Sequence, residues 1–203
     1  LNFDNNGPQL TIVDVIGDGN CLYTSFVTAL ILTDITILAN KLDILQQYGW
    51  KLYKKKDIRR PDREEHAINY HYIGNFRQVV AKWACANQAS LKTNKVDITT
   101  ATIESIMADA SAVFQDESKI LSQMFEVKVN VYHQSNENSS DVGTKEVYGE
   151  KFLKEINILD TSGHFKSLIP DDEFQKIVPR RNGGSAKFNQ RGGASNPDEN
   201  PIN

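Results

Sequence analysis

Leu10-Thr11-Ile12-Val13-Asp14-Val15-Ile16-Gly17-Asp18-Gly19-Asn20-Cys21-Leu22-Tyr23 is the stretch that decides the reading of this chain. Residues Leu10 to Ile16 are rich in β-branched side chains, which suit extended backbone. The run stops at Gly17-Asp18-Gly19-Asn20, where every residue has a strong turn preference. Beyond the turn, Leu22, Phe26 and Leu30 recur at four-residue spacing with no Pro or Gly between them, which predicts a helix that buries one face. Strand, turn and helix therefore meet at Cys21, in the first turn of the helix.

That position has chemical consequences. A thiol is a nucleophile only as thiolate, and the aligned N–H dipoles of a helix N-terminus favour the anion. A glycine-rich turn also brings backbone N–H groups close together, so the Asp18 to Cys21 segment can supply donors to the oxygen of a tetrahedral intermediate. Taken alone, a cysteine after a turn is equally an ordinary buried residue, since free thiols are among the most buried side chains.

Outward from this segment, Ile35, Leu38, Leu42 and Leu45 predict a second helix from about Asp34, ended by Gly49. Seven basic residues lie between Lys51 and Arg63, with Pro61 and two aspartates among them, and read as a solvated arm or a substrate-contacting one. Trp50 and Tyr53 beside it are candidates for exposed partner anchors. Helical spacing returns at Phe76, Val79, Val80 and Trp83, again at Ile103, Ile106 and Met107, and again at Ile120, Leu121, Met124 and Phe125. Val127, Val129 and Val131 alternate with polar residues as a half-buried strand does. Residues Gln134 to Thr144 read as a surface loop, Ile156 to Leu159 as a strand, and Thr161-Ser162-Gly163 as the turn of a hairpin that carries His164. Residues 179–203 have almost no large apolar side chain and read as a flexible tail or linker, leaving 1–178 as the domain.

Three blocks carry a family resemblance. Gly17-Asp18-Gly19-Asn20-Cys21-Leu22-Tyr23 resembles the G-D-G-N-C-[LF]-[FY] signature of ovarian tumour (OTU) cysteine proteases. Ile120 to Tyr132 is similar to that family's helix-to-strand segment, and Gly163-His164-Phe165-Lys166-Ser167-Leu168 to its H-[YF]-x-[SA]-L histidine strand. The resemblance implies a papain-like α+β fold, with a small central sheet flanked by helices. It implies Cys21 as nucleophile, His164 as general base, and hydrolysis of peptide or isopeptide bonds after the C-terminal glycine of ubiquitin, polyubiquitin or a ubiquitin-like modifier. It implies no cofactor and no metal. The chain departs from the pattern at Lys166, where many members carry an Asn or Asp that orients the histidine; a lysine cannot accept the ring N–H. Asp18, Asp14, Asp4 and Asp160 are the candidate replacements, with Asp18 favoured as part of the motif.

Composition narrows the alternatives. The 203 residues suit one domain, 39% hydrophobic and 24% charged residues suit a soluble globular chain, and a net charge of −3 offers no field for nucleic acid. Cys21 and Cys85 form no zinc-like cluster, and Cys85 on a predicted helix reads as a core thiol. His66, His71 and His133 read as surface residues without partners. The longest apolar run, Val27 to Leu32, is too short to span a bilayer. The chain opens on Leu1 without a secretory leader and reads as a monomeric piece of something longer, acting in the cytosol, or in a host cytosol if it comes from an intracellular bacterium or virus. An inactive ubiquitin-binding module of the same fold, and a protease that processes its own polyprotein, are the competing readings.

Overall fold

A computed structural model describes residues 8–15, 19–50, 73, 75–108, 114–134 and 142–177. The β-branched run forms β1 (Leu10–Val13), and the apolar stripe beyond the turn forms α1 (Cys21–Ala39). Helices α2 (Leu42–Gln47), α3 (Phe76–Ala86), α4 (Gln88–Thr93), α5 (Thr100–Met107) and α6 (Phe114–Phe125) follow. Then come β2 (Lys128–Gln134), β3 (Val142–Tyr148), β4 (Glu155–Asp160), β5 (Phe165–Pro170) and α7 (Asp171–Ile177). The strands form one mixed sheet in the order β1-β5-β4-β2-β3, antiparallel throughout except for the parallel β2–β4 pair. The architecture is the α+β arrangement expected, a small central sheet flanked by helices.

Period-two alternation divides the sheet between two cores. Val129, Val131, Ile156, Ile158, Phe165 and Ile169 join the main core with α1, while Tyr132, Leu159, Leu168 and Leu10 form a smaller cluster from the intervening positions. Aromatic rings fill the space between helices: Phe125 meets Phe26 at 5.1 Å and Phe76 at 6.0 Å between centroids, and Trp50 meets Phe76 at 5.6 Å. Trp50 is thus a core residue at 3% exposure and not an exposed anchor. Its ring closes the aromatic cluster, whereas the neighbouring residues 51–72, with the basic run, Tyr53, His66 and His71, lie outside the described residues. Cys85 is exposed, correcting its reading as a core thiol, because the buried side of α3 is set by Phe76, Val79, Val80 and Ala84.

Other boundaries shift for physical reasons. The second helix expected from Asp34 to Gly49 is broken: Asp34 has extended φ and ψ inside α1 and its carboxylate accepts the Thr36 N–H at 3.0 Å, restarting the helix as an N-cap does. The second part ends at Ala39, and α2 is a separate short helix. Strand β3 begins within the span read as a loop; it is an edge strand whose Gly143, Thr144 and Lys145 are exposed, so it lacks the apolar alternation that announces a strand. Nineteen-residue α1 has a mean hydropathy of 1.8 and is long enough to cross a membrane, but 72% of that stretch is buried inside the domain. It is the central core helix, packed on β4 and β5.

Candidate active site

Gly19 adopts φ +82°, a left-handed conformation in which a side chain is strained, and this lets the chain turn directly into α1. Asn20 is the helix N-cap by backbone geometry, its carbonyl accepting the Thr24 N–H at 2.9 Å. Cys21 follows as the first helical residue, 6% exposed at the edge of a cleft of about 650 Å³. Its thiol donates to the Gly163 carbonyl at 3.8 Å, which joins the start of α1 to the β4–β5 hairpin.

The hairpin turn is held from within. Asp160 accepts the Gly163 N–H at 2.7 Å, and the N–H and hydroxyl of Thr161 both donate to the His164 carbonyl at 2.9 Å. Gly163 at φ +100° and Ser162 at φ +60° complete the reversal. His164 therefore projects from a braced turn into the same cleft as Cys21.

The acceptor brought to His164 is Asp14, just after β1. His164 Nε2–H donates to Asp14 Oδ1 at 2.9 Å, the Val15 N–H donates to the same oxygen at 2.8 Å, and Lys166 Nζ lies 3.6 Å from Oδ2. Burial pushes the Asp14 carboxyl up, but the His164 hydrogen bond, the Lys166 charge and the Val15 N–H outweigh it and hold the group below its ordinary value. Asp14 is thus an anion with one oxygen for the imidazole and one for the lysine. Asp18 and Asp4 lie outside the described residues, and Asp160 turns its carboxylate to Gly163 and His133 instead.

Two features of the site have no sequence signature. His133, read as an unpartnered surface residue, is the penultimate residue of β2, with Nδ1 3.1 Å from Asp160 Oδ2 and its ring edge-on to Phe114. The cleft floor also holds Tyr23, Arg77 and Glu117, all buried and mutually bonded. Local sequence names no partner for Arg77, and only the tertiary contact with Glu117, forty positions away, reveals the network. Among the described residues, no group of His, Cys, Asp and Glu is arranged to hold a metal ion.

A histidine on a braced hairpin, a cysteine at a helix start and an aspartate after the first strand thus meet at one cleft on an α+β scaffold. Three solved structures are similar to this chain. The viral OTU domain protease of Dera Ghazi Khan virus aligns at 18% identity and TM-score 0.43, over 79% of this chain and 80% of that one. The viral OTU domain protease of Farallon virus aligns at 13% identity and TM-score 0.35, over 78% and 83%. An OTU deubiquitinase from Wolbachia pipientis wMel, crystallised bound to ubiquitin, aligns at 16% identity and TM-score 0.36, over 80% and 97%. No protein-family model and no curated protein matches the sequence.

Proposed function

We propose that the chain is an OTU-type deubiquitinase, with Cys21 as nucleophile, His164 as general base and Asp14 as the residue that orients His164. The observation that carries the reading is the joining of the Cys21 thiol to the carbonyl of Gly163, beside a histidine whose Nε2 is already engaged by Asp14. With Nε2 so engaged, Nδ1 is the ring nitrogen available for the thiol proton. His164 takes that proton, Cys21 attacks the carbonyl after the ubiquitin C-terminal glycine, and backbone N–H groups at the start of α1 meet the oxyanion. His164 then protonates the leaving amine, and water resolves the thioester. Ubiquitin as substrate comes from the resemblance of the three sequence blocks, and with it the expectation of a cytosolic site of action.

Lys166 is the feature that favours an inactive ubiquitin-binding module; what supports activity against it is the contact of His164 with Asp14 just after β1, in place of an acceptor two residues after the histidine. Incubation with ubiquitin bearing a C-terminal electrophile tests the proposal. An adduct of one ubiquitin, lost in Cys21→Ala, is the expected result. Ubiquitin binding without an adduct points to the inactive module, and neither binding nor adduct refutes ubiquitin as partner.

A further inference from the structure

A buried charged network borders the cleft and has no part in the chemistry above. Arg77, on α3, is 2% exposed and Glu117, on α6, is 5% exposed. Arg77 Nη2 lies 3.2 Å from Glu117 Oε1, and the Tyr23 hydroxyl donates to the same oxygen at 2.8 Å. From this anchored position Arg77 Nη1 donates to the Gly19 carbonyl at 3.3 Å. Burying both charges is costly, and apolar side chains of like volume would pack the interior as well or better. The contact that apolar side chains cannot make is the one to Gly19, two residues before the nucleophile.

We propose that Arg77, braced by Glu117 and Tyr23, is a positioning residue for the nucleophile turn: by holding the Gly19 carbonyl it sets the plane of the Gly19–Asn20 peptide and the aim of the backbone N–H donors that meet the oxyanion. The inference rests on the thiol hydrolase reading of Cys21. A trans peptide points its C=O and N–H in opposite directions, so fixing the Gly19 carbonyl fixes the Asn20 N–H. The clamp matters at this residue because Gly19, without a Cβ and at φ +82°, has the least intrinsic restraint on that plane. A cationic donor on the carbonyl also polarises the amide and strengthens its N–H as a donor. Glu117 offsets the arginine's charge. Burial, and then the charge of Glu117, push the Tyr23 hydroxyl well above its ordinary value, which keeps it a donor to that carboxylate.

Arg77→Lys tests the role, because an ammonium can still pair with Glu117 but lacks the planar fork that spans Glu117 and Gly19 together. In a Cys85→Ser background, two rates are measured at Cys21: alkylation by iodoacetamide, which forms no oxyanion, and hydrolysis of a ubiquitin C-terminal fluorogenic amide. The expected result is a fall in kcat of about 10- to 100-fold with KM and the alkylation rate within about threefold of the parent. Amide hydrogen shifts of Asn20 and Cys21 should move in the same variant, whether or not the parent turns over. Unchanged hydrolysis by an active parent, equal loss of both rates, or unmoved Asn20 and Cys21 amides would each overturn the proposal. A parent that is alkylated but hydrolyses no ubiquitin substrate counts against the proposed function, and the amide shifts then decide the role of Arg77. Should Arg77→Lys fail to fold, Glu117→Gln carries the same measurements, since it keeps the shape while removing the charge that holds the guanidinium.

Discussion

Replacing Asp14 is the perturbation that bears most directly on the site. His164 Nε2–H donates to Asp14 Oδ1 at 2.9 Å, and Lys166 of the same hairpin lies 3.6 Å from Asp14 Oδ2. A hydrogen bond to a charged group contributes about 1.5–3 kcal/mol, and the pair of Asp14 with an imidazolium formed during the reaction falls in that range because the Asp14 side chain is 59% exposed and partly screened by water. Each 1.36 kcal/mol is about tenfold in rate, so Asp14→Ala should lower kcat/KM by roughly 10- to 150-fold. Asp14→Asn keeps the shape but loses the charge that stabilises the imidazolium and can turn its NH2 to the ring, so it should also fall by about tenfold or more. Hydrolysis of a ubiquitin fluorogenic amide and thermal unfolding, measured together, check this. Full activity in Asp14→Ala refutes the orienting role, and a loss matched by a fall in melting temperature of several degrees transfers the effect to the fold.

Cys21→Ala should abolish turnover with folding and ubiquitin affinity intact, as read by fluorogenic hydrolysis and binding calorimetry, and activity above a few per cent would remove Cys21 as nucleophile. Phe76→Ala, at a fully buried ring that touches Phe125, Trp50 and Tyr23, should cost about 3–5 kcal/mol in urea unfolding; a cost below about 1 kcal/mol would mean that the cluster is not the core. Tyr23, with its folded pKa raised by burial and Glu117, contributes stability that is fully present below its ordinary value near 10.0 and is lost as pH rises above it. Urea titrations on either side of that pH should therefore show a steeper alkaline loss for the parent than for Tyr23→Phe, and parallel losses would refute the assignment.

Much of the site was legible because its chemistry depends on local sequence. The β-branched run, the glycine turn and the apolar stripe placed Cys21 at a helix start, and Thr161-Ser162-Gly163 placed His164 at a hairpin turn, since turns and periodicity are properties of neighbouring residues. The α+β class was implied by the resemblance of the three sequence blocks, whereas α3, α5 and the end of α6 followed from apolar periodicity. Edge strand β3 and the short helix α4 were not legible, because exposed or brief elements carry little apolar periodicity.

Contacts between distant residues were the province of the tertiary structure. Sequence left four aspartates open for His164, and the antiparallel pairing of β1 with β5, Val13 opposite Ser167, is what carries Asp14 to the histidine 150 positions away. The same holds for Trp50, drawn into the aromatic core, and for His133, joined to Asp160 by the parallel β2–β4 register. Arg77 and Glu117 show the limit most plainly: a charge inside an apolar pattern says only that it needs a partner, while the partner is chosen by helix packing. Local sequence sets backbone conformation through short-range sterics and hydrogen bonding, whereas side-chain partnership depends on which surfaces the whole chain must bury together.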